Sequence, residues 1–155
     1  MLLIPTNFIL DVDGVLSTGR FFYSSEGKIL KEFGPHDSDG LKLIEDDLNI
    51  SFVTADERGF EISEKRVVYD MGYSLELVKE KDRFGFFVAN YDLETTIYMA
   101  DGYHDALILE ACHFGIAPNN ARVEAKQMAD FVTPSNAGEG AVLDACLYIK
   151  ETFFD

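Results

Sequence analysis

The chain has 155 residues, 47% of them hydrophobic, and a formal net charge of −15. This length and apolar content suit one globular domain over residues 1–155 and exclude a disordered chain. No stretch is apolar for long enough to cross a bilayer, and the acidic balance argues against nucleic acid or an anionic membrane as a partner, because both bind basic surfaces.

The first segment, "MLLIPTNFIL", is apolar but has no basic residue before it and no small-residue cleavage site. We therefore interpret it as the lead-in to a buried strand rather than as a signal peptide, and we expect a cytoplasmic protein. The two cysteines, Cys112 and Cys146, lie in apolar helical stretches without metal-ligand spacing, which indicates buried thiols. The three histidines form no zinc-binding pattern.

Short apolar runs alternate with stretches of helical period along the chain. The runs predict strands at residues 7–10, 50–53, 74–77, 96–100, 115–117 and 131–133. Two stretches carry apolar stripes of helical period: Phe84, Phe87, Val88 and Tyr91, and Val142, Ala145, Cys146, Ile149 and Phe153. Residues 58–71 follow a looser stripe, and Gly72 directly after them suits a helix C-terminal cap. This alternation predicts an α/β fold, a Rossmann-like, mostly parallel sheet with helices on both faces.

One segment breaks the alternation. "GRFFYSSEGKILKEF", residues 19–33, predicts two short strands around the turn "SSEG", a small β-hairpin inserted after the first strand. The hairpin carries six large apolar residues: Phe21, Phe22, Tyr23, Ile29, Leu30 and Phe33. Either a subunit interface or the hairpin's own domain must cover them, and the sequence favours the two equally.

The residues that follow the predicted strands carry chemistry. They are Asp11 and Asp13 after the first strand, Thr54 after the second, Lys79 and Lys81 beyond the third, and Asp101 and Asp105 after the fourth. Ligands of parallel α/β sheets bind beyond the carboxyl ends of the strands. We therefore expect these side chains to meet at one edge of the sheet.

This set of side chains suits phosphoryl transfer. Carboxylate and carbonyl oxygens from different loops can hold Mg²⁺, while a further carboxylate attacks phosphorus and a hydroxyl and an ammonium hold the phosphoryl oxygens. Bound Mg²⁺ would let so acidic a chain accept an anionic substrate. Each motif alone is weak, because Asp favours turns and helix caps, as Asp105 could do, and because one of the two lysines is expected on a solvated face. Their order is the stronger signal.

Taken together, these motifs resemble those of the haloacid dehalogenase superfamily of phosphatases: "DVDGVLS" at 11–17, "VT" ending at Thr54, Lys81 before an amphipathic helix, and "ADGYHD" at 100–105. The hairpin, "HDSDGLKLI" at 36–44 and "ADFVTPSNAGEGAV" at 129–142 are similar to the capless family of 3-deoxy-D-manno-octulosonate 8-phosphate phosphatases, which is related to the domain fused to some CMP-sialate synthetases. The resemblance covers roughly residues 7–150.

The resemblance implies roles for the acidic residues. Asp11 would be the nucleophile that forms an aspartyl-phosphate, and Asp13 the general acid and base, with its backbone carbonyl also binding Mg²⁺. Asp101 would supply a further metal ligand, with Asp11, and Asp105 would orient that shell.

It also implies how the phosphate is held. Thr54 would bond a phosphoryl oxygen, and Gly14 would let the chain turn close to the phosphate. Lys81 would bridge Asp11 and the phosphate; we prefer it to Lys79 because it stands just before the helical stripe, as the family's lysine does.

The sequence departs from the family where substrate recognition is expected. Ala55 and Asp56 stand where the family usually has glycine and arginine, and Gly102 replaces a second aspartate. Candidate substrate contacts are Arg58, His36, Lys65 and Arg66, which could equally be surface charges. The identity of the sugar acid, of the octulosonate 8-phosphate or nonulosonate 9-phosphate type, stays open.

The family's enzymes are tetramers assembled by their hairpins, so the resemblance implies a homotetramer. By the same likeness "NAGEGAV" at 136–142 would border the site, although an ordinary loop is slightly favoured. Two rival hypotheses remain. One is a non-catalytic tetramerisation domain partnering a sugar-nucleotide synthetase, suggested by Ala55 and Gly102; the other is a receiver-like phosphate acceptor, against which Asp13 and the hairpin argue.

Overall fold

The computed structural model describes residues 3–155; Met1 and Leu2 of the expected lead-in and domain lie outside the described residues. Six parallel strands form one sheet in the order β5-β4-β1-β6-β7-β8. Their bounds are β1 Asn7–Asp11, β4 Asn49–Thr54, β5 Ser74–Leu77, β6 Thr96–Met99, β7 Phe114–Ala117 and β8 Phe131–Val132. The predicted α/β fold is confirmed, with each strand within one residue of its expected bounds.

Helices cover both faces of the sheet. They are α1 Asp37–Ile44, α2 Phe60–Glu64, α3 Glu80–Asn90, α4 Ala106–Ala111, α5 Val123–Met128 and α6 Ala141–Ile149. Successive residues of a strand point to opposite faces: Phe8 and Leu10 pack in one core with α1 and α6, whereas Ile9 packs in a second core with α3, α4 and α5. No helix within residues 3–155 is both long and apolar enough to span a membrane.

The last helix follows its predicted stripe. Val142, Ala145, Cys146 and Ile149 are fully buried, and Phe153, in the wider turns that continue α6, is half-buried against them. Cys112 and Cys146 are both buried free thiols, as expected. Gly72 ends the segment after α2 with a φ of +83°, the left-handed conformation of a helix C-terminal cap.

The stripe predicted for α3 is wrong in its phase. Phe87 is buried, but Phe84 is 43% exposed and Val88 56% exposed. The face that packs on the sheet instead carries Arg83 and Phe87, one helical turn apart. The helix therefore turns a cation, not an apolar ring, toward the end of the sheet.

The hairpin consists of β2 Ser17–Ser24 and β3 Gly27–Phe33, paired antiparallel and separate from the main sheet. Five of its six large apolar residues are exposed, between 39% for Phe21 and 58% for Tyr23. Phe33 is half-buried and packs on the core. The hairpin's own domain therefore covers its base and leaves most of its apolar surface open.

A buried carboxyl links the two helices that pack on one face. Asp37, in the first turn of α1, is 1% exposed, and its Oδ1 accepts a hydrogen bond from the Leu143 backbone N–H at the start of α6, at 3.3 Å. Burial raises the pKa of Asp37 to about 6, although this hydrogen bond opposes the shift. Between about pH 4 and about pH 6, the folded protein therefore holds a proton on Asp37 that the unfolded chain has already lost.

This raised pKa predicts a pH dependence of stability. Because the folded pKa lies above the unfolded value of 3.8, Asp37 makes the protein less stable as the pH rises from about 4 to about 6. Asp37→Asn stays neutral and keeps an acceptor for Leu143. We expect the unfolding free energy of the variant, relative to wild type, to rise by about 2 kcal/mol between about pH 4 and about pH 7. Urea titrations at both pH values check this; a constant difference would contradict it.

Candidate active site

A cavity of about 420 Å³ opens at the carboxyl ends of β1, β4 and β6. The predicted residues that line it are Asp11, Asp13, Thr54, Asp101 and Asp105. β1 lies between β4 and β6 in the sheet, so the ends of these three strands are neighbours. This order of strands brings together residues that are up to 94 positions apart in the chain.

The turn after β1 places the two aspartates. The Asp11 carboxylate accepts a hydrogen bond from the Val12 backbone N–H at 2.8 Å, and Gly14 has a φ of +81°. A β-carbon at Gly14 would overlap the Asp101 carboxylate. Glycine is therefore required here both by the backbone conformation and by the close approach of Asp101.

Three carboxylates converge at the bottom of the cavity. Asp11, Asp101 and Asp105 each offer an oxygen, and these oxygens lie within 4.8 Å of one another. Burial raises the pKa of Asp101 to about 7, with Asp105 adding to the shift, and burial also raises the pKa of Asp11 well above its usual value. These carboxyls are buried close together, so their ionised forms need a positive charge beside them. A divalent cation such as Mg²⁺ supplies that charge and prefers oxygen ligands of this kind.

The residues around Asp105 suit its expected role of orienting the metal ligands. Its Oδ1 accepts hydrogen bonds from the Tyr98 hydroxyl at 2.7 Å and from Arg83 at 3.1 Å, and its Oδ2 accepts from the Gly102 N–H at 3.1 Å. Both oxygens are thus engaged by protein donors, which fixes the carboxylate. Gly102, which departs from the family pattern, contributes a backbone donor to Asp105, and this role does not depend on a side chain.

The raised pKa values predict that protons compete with Mg²⁺. Because Asp101 has a pKa of about 7 in the free protein, metal binding below that pH must release a proton. We expect the apparent Mg²⁺ affinity to fall by about tenfold or more per pH unit below about pH 7, because Asp11, whose pKa is also raised, can hold a second proton that the metal must displace. Calorimetric titration with MgCl₂ at several pH values measures this; an affinity that does not change with pH would contradict the assignment of the cluster.

The cation beside Asp11 is Arg83, not the expected Lys81. Arg83 is 4% exposed, and its Nη1 lies 3.6 Å from Asp11 Oδ2 and 3.1 Å from Asp105 Oδ1. Lys81 is exposed and lines a separate groove together with Lys79. Residues two apart on a helix point to nearly opposite sides, so Lys81 does not share the buried face of α3 on which Arg83 lies.

Thr54 lies at the end of β4, where the sequence places it. It is 1% exposed, and its Oγ accepts a hydrogen bond from the Asp56 N–H at 3.2 Å. Because the backbone donor occupies an acceptor position, the hydroxyl hydrogen is left to donate into the cavity.

The four candidate substrate contacts lie elsewhere. Arg58 and His36 are exposed, Lys65 pairs with Asp70 at 2.9 Å, and Arg66 donates to the Gly34 carbonyl at 3.4 Å. None of the four lines the cavity, and their contact with a substrate stays a prediction. The loop at 136–142 also stays outside it: Gly138 packs against Thr18 at the base of the hairpin.

Residues that sequence reasoning missed also line the cavity. They are Phe21 and Lys28 of the hairpin, Asp56, Glu80, Tyr103 and His104. Burial by itself raises the pKa of Asp56, but hydrogen bonds from Lys28 and Lys31 outweigh burial and lower it to about 2. Asp56 thus ties the hairpin to the loop after β4. The exchange of the family's arginine for Asp56 was the only signal in the sequence.

Comparison with known proteins places this geometry among phosphatases. A model of the haloacid dehalogenase-like hydrolases matches residues 87–145. The 3-deoxy-D-manno-octulosonate 8-phosphate phosphatase of Haemophilus influenzae is 31% identical over 139 residues, which are 86% of this chain and 76% of that protein. Of the carboxylates that line the cavity, the family model spans Asp101 and Asp105.

Solved structures share the fold. The cobalt-bound deoxy-D-mannose-octulosonate 8-phosphate phosphatase of H. influenzae superposes with a TM-score of 0.79 at 27% identity, over 95% of this chain and 88% of that one. The Moraxella catarrhalis 3-deoxy-D-manno-octulosonate 8-phosphate phosphatase, in complex with magnesium, phosphate and KDO, has a TM-score of 0.78 at 24% identity, over 95% and 86% of the two chains. The second likeness concerns the fold alone.

Proposed function

Because the chain belongs to the haloacid dehalogenase superfamily, and within it to the family of 3-deoxy-D-manno-octulosonate 8-phosphate phosphatases, we propose that it hydrolyses a phosphorylated 3-deoxy-2-keto sugar acid in a Mg²⁺-dependent reaction. The observation that carries the proposal is the single cavity in which Asp11, Asp13, Thr54 and Asp101 meet. The substrate is of the octulosonate 8-phosphate or nonulosonate 9-phosphate type.

Asp11, Asp101 and the backbone carbonyl of Asp13 would hold Mg²⁺, and Asp105 would orient them. When bound, the ion supplies positive charge that neutralises the phosphoryl oxygens. An Asp11 oxygen attacks phosphorus, and the bond from phosphorus to the sugar oxygen breaks. That oxygen keeps the electron pair and takes a proton from Asp13. Asp13 then removes a proton from the water that attacks the aspartyl-phosphate, which releases phosphate and restores both carboxyls.

Arg83 takes the part expected of Lys81. Its guanidinium lies at hydrogen-bonding distance from Asp105 and close to Asp11, so it offsets the charge of the carboxylates that surround the nucleophile. Arg83 would also stabilise the additional negative charge that the phosphoryl group brings beside Asp11. Thr54, at the end of the neighbouring strand β4, donates to a phosphoryl oxygen.

A homotetramer would explain the open apolar side of the hairpin. Five large apolar residues exposed on one small unit are what a subunit interface buries. We expect Phe22→Ser combined with Leu30→Ser to dissociate the assembly, as measured by light scattering on a size-exclusion column. A wild-type monomer at micromolar concentration would contradict the tetramer without touching the assignment of the reaction.

The reaction is tested by phosphate release from a panel of sugar-acid phosphates, with 3-deoxy-D-manno-octulosonate 8-phosphate as the first member. We expect turnover of at least one member with Mg²⁺ and none after EDTA is added. No metal-dependent turnover on any member would contradict the proposal and favour the non-catalytic tetramerisation domain.

A further inference from the structure

Lys31 of the hairpin reaches into the site from behind Asp13. Its side chain is fully buried, and its Nζ lies 2.9 Å from Asp13 Oδ2, 2.8 Å from Asp56 Oδ2 and 2.7 Å from Ser63 Oγ. An ammonium has three N–H donors, and here each has one acceptor. A buried lysine with all its donors satisfied has a fixed position, and so does the carboxylate it holds.

The second oxygen of Asp13 is held as well. Asp13 Oδ1 accepts a hydrogen bond from the Ser17 hydroxyl at 3.1 Å, and Ser17 is itself fully buried at the start of β2. Lys31 and Ser17, which both belong to the hairpin, thus hold the two oxygens of the Asp13 carboxylate. The carboxylates whose oxygens converge within 4.8 Å are those of Asp11, Asp101 and Asp105; the Asp13 carboxylate, held by Lys31 and Ser17, is not among them.

The fold makes room for this contact. A β-carbon on Gly59 would overlap the Asp56 carboxylate and lie 2.7 Å from Lys31 Cε and 2.9 Å from Lys28 Cδ, closer than packed atoms tolerate. Glycine at this position therefore allows two lysine side chains to run beneath the loop after β4. The contact is thus built into both the hairpin and the loop.

We propose that Lys31 is a positioning residue that keeps the Asp13 carboxyl out of the metal cluster and directed at the leaving-group oxygen. This inference rests on the proposed phosphatase function and deepens it. Without Lys31, the carboxylate of Asp13 is free to swing toward the metal ligands, and the sugar oxygen loses its proton donor. Since Lys31 belongs to β3, the seating of the hairpin on the domain sets the position of Asp13.

The dependence of the rate on the leaving group tests this role. A sugar alkoxide needs a proton to leave, whereas 4-nitrophenolate is a stable anion and leaves without one. For Lys31→Met we expect the single-turnover rate on 3-deoxy-D-manno-octulosonate 8-phosphate to fall about 10²-fold, with the rate of the 4-nitrophenolate burst from 4-nitrophenyl phosphate falling about tenfold less. We expect KM to change little, because Lys31 lies behind Asp13 rather than against substrate.

Lys28→Met is the matched control. Lys28 lies on the same strand and contacts the same Asp56, at 2.7 Å, but Lys31 alone of the two bonds Asp13. We expect this variant to keep the wild-type ratio between the two substrates, whatever its effect on each rate. Lys31→Gln, which retains a neutral donor, serves as a second variant if Lys31→Met does not fold, and its ratio should move in the same direction.

An equal loss on both substrates in a folded Lys31 variant, or no loss on either, would overturn the positioning role. A wild-type protein that turns over neither substrate contradicts the proposed phosphatase function itself. The two failures are therefore distinguishable.

Discussion

Asp11→Asn should lower phosphate release from the sugar-acid phosphate by at least about 10³-fold while the protein stays folded. The amide has nearly the shape of the carboxylate but cannot attack phosphorus. The fold should tolerate the neutral amide, because burial disfavours the charged form of Asp11 and raises its pKa well above the usual value in the free protein. Steady-state kinetics measure the loss, and urea unfolding without Mg²⁺ measures the stability.

The matched control for this variant is Asp46→Asn, which removes an exposed carboxylate after α1 and far from the cavity lining. It should keep wild-type turnover. Turnover by Asp11→Asn within about tenfold of wild type would exclude a covalent role for Asp11. An unfolded Asp11→Asn would contradict the view that its charge is a burden to the free protein.

The second large effect is expected at Arg83. Arg83→Met removes the cation between Asp11 and Asp105, and with it one donor to Asp105 and the donor to the Tyr98 hydroxyl. We expect turnover to fall about 10²-fold or more. Breaking a buried ion pair from one side also destabilises a protein, here by about 3 kcal/mol. Kinetics and urea titrations of the same sample separate the two effects.

Lys81→Met provides the comparison, because the same charge is removed two residues away on the exposed side of α3. It should leave turnover within about twofold of wild type. If Lys81→Met lost activity and Arg83→Met did not, the original expectation from the sequence would be right and the assignment of Arg83 wrong.

The strands and the aspartates of the site could be predicted from short stretches of the sequence. Apolar runs mark β1, β4 and β6, and the parallel topology brings whatever follows them to one edge. Asp11, Asp13, Thr54 and Asp101 each stand within three residues after such a run, so a sequence pattern sufficed to place them at one cavity.

Arg83 was missed for a physical reason. Phe84 and Val88 suggested the buried face of α3, but they are exposed, and an arginine with carboxylate and hydroxyl partners takes the buried position. Periodicity counts apolar residues and cannot see that a paired guanidinium is also buried. The contacts of Arg83 with Asp105 and Tyr98 therefore determine which face of α3 is buried.

The hairpin residues were missed because their contacts are not local. Lys31 meets Asp13, Asp56 and Ser63, which lie 18, 25 and 32 positions away. Nothing in "GKILKEF" distinguishes the buried Lys31 from a solvated lysine. Only the placement of the hairpin over the loop after β4 does so.

The central claim is that Asp11 forms a covalent bond to the phosphoryl group, and trapping that bond tests it most directly. Wild-type protein is mixed with Mg²⁺ and 3-deoxy-D-manno-octulosonate 8-phosphate, quenched in acid within a single turnover, reduced with borohydride and mapped by mass spectrometry. The account predicts conversion of residue 11 to homoserine, absent in Asp11→Asn. Turnover of the substrate with no such modification, or with the modification at another aspartate, would contradict it.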